Sequence, residues 1–91
     1  MSNAGDVWIV LITPRAIKEI EHTPPDARRH LRNAIDGLAI RPWTGDIRKL
    51  QGSANEWRLR VGDWRIRFAP DDSRHEIIIL RVLPRGRAYR D

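Results

Sequence analysis

The twelve residues from Trp57 to Phe68, WRLRVGDWRIRF, leave little freedom to whatever surrounds them. Trp57, Leu59 and Val61 alternate with Arg58 and Arg60; after Gly62-Asp63 the alternation resumes as Trp64, Ile66 and Phe68 against Arg65 and Arg67. A period of two puts successive side chains on opposite faces of a strand, so the segment predicts two strands. Gly-Asp between such runs is a tight hairpin connection, because Gly supplies the positive φ that primed turns demand. A two-residue loop also fixes the register: Val61 opposite Trp64, Arg60 opposite Arg65, Leu59 opposite Ile66, and Arg58 opposite Arg67. One face is then oily and the other carries four guanidiniums.

Like charges directly opposite each other on a sheet cost roughly 0.2 to 1 kcal/mol per pair, so a sheet shaped by stability alone would interleave Glu or Thr. Polar-out alternation by itself needs no function, since any half-solvated antiparallel sheet shows it. That all four outward positions are Arg, with no Lys, Glu, Thr or Ser among them, points instead to an anion. The net charge of +5 is also one-sided: residues 1–47 hold six basic and six acidic side chains, residues 48–91 eleven basic and six acidic. A basic patch on one side of a small domain is the footprint of a nucleic-acid or acidic-protein partner. A membrane surface fits less well, because the charges alternate along strands instead of lining a helix.

Residues 1–6 read as a disordered tail and residues 7–91 as one domain, which at this length buries roughly 60 to 65% of its unfolded surface. Val7 to Ile12, VWIVLI, is apolar and β-branched enough for a strand buried on both faces or at least largely covered. Thr13-Pro14 is an N-cap followed by a first-turn proline, and a short helix ends near His22. Thr23 and Asp26 have the spacing of a capping box for a longer helix with the apolar stripe Ala27, Leu31, Ala34, Ile35, Leu38 and Ala39. Arg41 to Asp46 is a loop with Trp43 folding back onto the body; Ile47 to Leu50 adds a short strand before the hairpin. Pro70 to Ser73 is a turn, and Glu76 to Leu83 is a strand apolar enough for the middle of the sheet. The order β-α-α-β-β-β predicts an α+β fold: a small antiparallel sheet with a helical hairpin on one face and the other face open.

Enzyme signatures of the familiar kinds are missing. His22, His30 and His75 are scattered, Asp71, Asp72 and Glu76 suit turn chemistry, and neither a phosphate-cradling glycine loop nor an acyl-transfer motif is present. No metal and no cofactor is expected. The absence of Cys fits a reducing cytosol, and no apolar run is long enough to span a bilayer, so a cytoplasmic protein is expected. Trp8, Trp57 and Trp64 fall on apolar strand positions and are expected in the core. Tyr89, flanked by Arg85, Arg87 and Arg90, has no such explanation; its ring suits stacking on a base, and its neighbours favour the ionised hydroxyl.

KLQG, then WRLRVGDWRI, then ILRVLPRGRAYR together resemble the RelE/ParE superfamily of bacterial type II toxins, the RelE branch in particular. The resemblance implies a ribosome-dependent mRNA endoribonuclease that leaves a 2′,3′-cyclic phosphate without a metal, and a cognate antitoxin that silences it in a hetero-oligomer. Carried over by position, Arg65 and Arg85 stabilise the transition state, Arg58 and Arg60 position the substrate, and Tyr89 stacks on a base or activates the 2′-hydroxyl. Lys49, Arg67, Arg81, Arg87 and Arg90 complete the expected contacts to RNA. Where relatives carry Lys in the strand pair this chain has Arg, which cannot act as a general base because its pKa exceeds about 12, so the proton acceptor stays unassigned. Two other readings remain open: a ParE-like inhibitor of DNA gyrase, and a degenerate toxin that only binds its antitoxin.

Overall fold

In the computed structural model, which describes residues 6–41 and 43–86, the hairpin is formed by β5 (Trp57–Val61) and β6 (Trp64–Asp71). Its register is the predicted one, from Val61 opposite Trp64 to Arg58 opposite Arg67, and continues to Trp57 opposite Phe68. Gly62 adopts φ 58°, the conformation for which glycine carries no steric penalty. On the chain before it lie β1 (Asp6–Val7), β2 (Ile9–Ile12), α1 (Pro14–Glu21), α2 (Pro25–Leu38), β3 (Ile40–Arg41) and β4 (Asp46–Lys49); β7 (Glu76–Pro84) follows. The main sheet has the order β2-β7-β6-β5-β4, and β1 pairs with β3 in a separate ribbon.

The sheet is mixed instead of wholly antiparallel. β7 occupies an interior position as expected, but β2 runs parallel to it, with Ile9 opposite Glu76 and Ile12 opposite Ile79. Parallel neighbours need a long crossover, and here everything from α1 to the β6–β7 turn supplies it. Lying at the edge, the leading strand is not covered on both faces: it breaks at Trp8, and Val7, Ile9 and Leu11 are exposed while Val10 and Ile12 pack on the core. Asp6, assigned to the tail by composition, pairs with Arg41 in the ribbon; residues 1–5 lie outside the described residues.

Leu59, Ile66, Phe68, Ile77, Ile79 and Val82 from the sheet meet Ala16, Ile20, Leu31, Ile35 and Leu38 from the helices. Each fully buried aliphatic or aromatic side chain here contributes about 1.5 to 3 kcal/mol by leaving water. Thr13 caps α1 as predicted, its Oγ1 accepting from Ala16 N at 3.1 Å while donating to Leu80 O at 3.2 Å, which ties the helix to β7. The capping box for α2 does not form. Pro24 is its N-cap, and the Thr23 hydroxyl instead donates to Ile20 O at 2.6 Å, closing the end of α1. Trp43 does fold back: its Nε1 donates to Leu38 O at 3.1 Å, one of the carbonyls left over at the end of α2, and its ring meets Phe68 edge-on at 5.1 Å. The Arg41 guanidinium lies 3.8 Å from the Trp43 centroid and 4.5 Å from that of Trp8, and Trp8 stacks on His75 at 4.2 Å. This cation–π stack fastens the ribbon to the β6–β7 turn. Among the described residues no helix is long and apolar enough to cross a membrane.

Thr13→Ala removes both the cap and the tie to β7, and should lower unfolding free energy by about 1 to 2 kcal/mol in urea titrations. The Asp71 carboxylate accepts from the Ser73 hydroxyl at 2.8 Å and from Arg74 N at 3.1 Å, and these bonds hold its pKa below the ordinary value. A lowered folded pKa stabilises the fold above the unfolded value, ~3.9, and that contribution is lost as pH falls through the folded one. The melting-temperature advantage of the wild type over Asp71→Asn should therefore shrink when the pH is taken from 6 to below about 3.9.

Candidate nucleic-acid interface

On the face opposite the core, the strand register lines up arginines from four strands in one row: Arg48 on β4 opposite Arg58 on β5, Arg58 opposite Arg67 on β6, and Arg67 opposite Arg81 on β7. A shift between Arg67 and Phe68 leaves Leu80 without a partner in the ladder and brings Arg81 into the row. A second row runs from Asp46 through Arg60 and Arg65 to Leu83.

This face is neither uniformly open nor self-repelling, as alternation alone suggested. Arg58 and Arg65 retain only 6% and 5% of their exposure. Glu56, immediately before β5, forms an ion pair with Arg67. Glu19 reaches over from α1, its Oε2 accepting from Arg81 Nε at 2.9 Å and its Oε1 from Val82 N at 2.7 Å. Asp46 stands 3.9 Å from Arg60 in a pair that is about half exposed. The carboxylates that a stable sheet needs are thus present, but two of them come from outside the strands. Replacing Arg58, Arg60, Arg65 and Arg67 together would not relieve repulsion; it would strip bonded partners from the hairpin.

Arg65, expected at the transition state, is placed beneath the hairpin turn. Its Nη1 donates to Gly62 O and to Trp64 O, each at 2.9 Å, so this group is fixed by the turn it supports. Arg85 N donates to Asp63 O at 2.8 Å, which holds the segment after β7 against the same turn with the Arg85 side chain exposed. Arg60 is exposed, opposite Arg65 in the strand register. Lys49, also exposed, borders a cavity of about 650 Å³ whose wall includes Arg48, Ser53, Glu56, Arg58 and Arg67. Arg87, Tyr89 and Arg90 lie outside the described residues.

Arg48 and Glu56 were missed by sequence reasoning although both were legible. Glu56 stands two residues before Arg58 and so shares its face, and Arg48 sits on a strand already foreseen. Glu19 gave no such signal, since its partner lies 62 residues away.

Arg65→Gln should lower stability by about 1 to 3 kcal/mol, because two turn carbonyls lose a charged donor in a buried setting. Arg60→Gln, at an exposed pair, should shift it by less than about 1 kcal/mol. Chemical denaturation of the two variants side by side separates a supporting arginine from an available one.

Residues 10–89 match the family model described as the ParE toxin of type II toxin-antitoxin system, parDE. The chain is 28% identical over 85 residues to the putative toxin RelE1 of Methanocaldococcus jannaschii, covering 90% of this chain and 94% of that protein. Toxin RelE3 of the same organism is 29% identical over 89 residues, with 88% and 93% covered. A crystal structure of the archaeal RelE-RelB complex from Pyrococcus horikoshii OT3 superposes with a TM-score of 0.78 at 29% identity, covering 90% of this chain and 99% of that one.

Proposed function

The chain belongs to the ParE toxin family of type II toxin-antitoxin systems, and from that premise we propose that it is a RelE-like toxin: a ribosome-dependent mRNA endoribonuclease silenced by a cognate antitoxin. The observation that carries this reading is the arginine row across β4, β5, β6 and β7, opening beside a cavity of nucleotide size. The likeness to two RelE toxins and to the toxin of a RelE-RelB complex supports it.

In the proposed reaction the 2′-oxygen of one ribose attacks the adjacent phosphorus. The 2′-O–P bond forms, the P–O5′ bond breaks, and the products are a 2′,3′-cyclic phosphate and a 5′-hydroxyl. Charge accumulates on the non-bridging oxygens, where guanidiniums fixed beforehand stabilise it without reorganising. Arg58, Arg60 and Arg85 are proposed to act on the phosphate, with Arg65 bracing the hairpin turn. Arg81, spent on Glu19, keeps the far end of the row in shape. Tyr89, with Arg87 and Arg90, is proposed to stack on a base or to assist the 2′-hydroxyl.

The antitoxin is proposed to lay an acidic segment over this face, in a toxin–antitoxin hetero-oligomer. Its association should then be fast and salt-sensitive. The name of the matching family favours one rival, inhibition of DNA gyrase through protein contacts alone.

Translation reactions with 5′-end mapping of the mRNA decide between them. The expected outcome is cleavage within ribosome-bound mRNA that persists in chelator at concentrations sparing the ribosome, yields a cyclic phosphate, and falls by ~10²-fold or more in Arg85→Gln. Intact mRNA beneath stalled ribosomes would overturn the cleavage reading, and double-strand DNA breaks on expression with Tyr89→Phe still toxic would overturn it in favour of the gyrase reading. Loss of cleavage in the chelator alone would overturn the metal-free mechanism.

A further inference from the structure

The cavity beside the arginine row has four cations on its wall, Arg48, Lys49, Arg58 and Arg67, and a single carboxylate, Glu56. Building on the RNA-cutting reading above, we propose that this cavity holds the ribonucleotide whose 2′-hydroxyl attacks, and that Glu56 is the base that takes its proton.

A ribonucleotide presents two demands at once: a phosphate that needs donors and a sugar hydroxyl that needs a proton acceptor. Arg and Lys are donors only, and the amide of Gln51 and the hydroxyl of Ser53, the other polar side chains on the wall, are far too weakly basic. Glu56 is the one lining side chain with a basic oxygen. Its position two residues before Arg58 puts base and phosphate-binding cation next to each other on one face. At about 650 Å³ the space lies within the ~300 to 1,000 Å³ typical of small-ligand sites.

The wall that carries Glu56 is braced. Glu56 O accepts from Leu50 N at 2.8 Å, closing the loop of residues 50–56 at its base, and Asn55 Nδ2 donates to Pro70 O at 2.6 Å, tying that loop to β6. Arg67 fixes the carboxylate from the other side, and the Glu56 side chain keeps about a fifth of its exposure, 21%. A base held this firmly loses little freedom when substrate arrives. In the step, Glu56 receives the 2′-hydroxyl proton as the 2′-O–P bond forms; the leaving 5′-oxygen takes a proton from water, and Glu56 returns its own to solvent.

The test compares wild type, Glu56→Gln and Glu56→Asp on ribosomes carrying one defined mRNA, with kcat and KM measured across pH. Glu56→Gln should lower kcat by ~10² to 10⁴-fold with KM little changed. Wild-type kcat/KM should fall on the acid side; that limb should vanish in Glu56→Gln and survive, at reduced rate, in Glu56→Asp. The Gln variant should bind mRNA with a 2′-deoxy cleavage site at least as tightly as wild type does. Wild-type kcat in Glu56→Gln, or a slower enzyme that keeps the acid limb, would overturn the assignment and leave Glu56 a brace for Arg67. Wild type that leaves all mRNA intact would remove the parent reading and this one with it, an outcome distinct from cleavage indifferent to Glu56.

Discussion

Everything on the arginine face depends on the turn at Gly62-Asp63. A strand slipped by one residue turns every side chain to the opposite face, so a looser connection would mix arginines into the core and tryptophans into water. The turn is held from three directions: by the positive φ of Gly62, by the Arg65 guanidinium under its carbonyls, and by Arg85 N on Asp63 O. That last bond makes the hairpin and the segment after β7 one rigid corner. The geometry of the arginine face is therefore set by backbone chemistry at Gly62 and Asp63.

Charge is managed by importing carboxylates. A row of four arginines across adjacent strands has no room within itself for an anion, and a helix and a loop deliver Glu19 and Glu56 to its members. Both pairs are mostly shielded from water, where truncating one partner typically costs about 3 to 5 kcal/mol by leaving the other unpaired. The result is graded. Arg81 and Arg67 are spoken for, Arg65 is structural, and Arg60 and Arg85 face solvent.

The hairpin, its register, the helical pair and the Thr13 cap were readable because each is written in neighbouring residues: an alternation, a Gly, a Thr-Pro. What escaped reading depends on distant partners. Parallel pairing of β2 cannot be inferred from VWIVLI, whose composition suits an interior strand as well as an edge. Thr23 offered its hydroxyl to two helices, and the competition went to the carbonyl of Ile20. Counting Arg on alternate positions told which residues share a face, but not that Arg58 and Arg65 are buried on it, since alternation carries no information about tertiary cover. Glu56 was within reach of the same alternation that located the arginines.

The parallel β2–β7 pair joins residues 67 positions apart, Ile9 with Glu76. The β5–β6 and β6–β7 pairings close over short loops, whereas this one must bring in a long stretch of chain, and loop entropy delays it. Assembly is thereby ordered: the cationic meander can take shape while α1 and α2 are still undocked and the apolar side of Leu59, Ile66 and Phe68 is bare. Until the edge strand docks, β7 presents an unpaired edge open to aggregation, so β2 works as the latch on the finished fold.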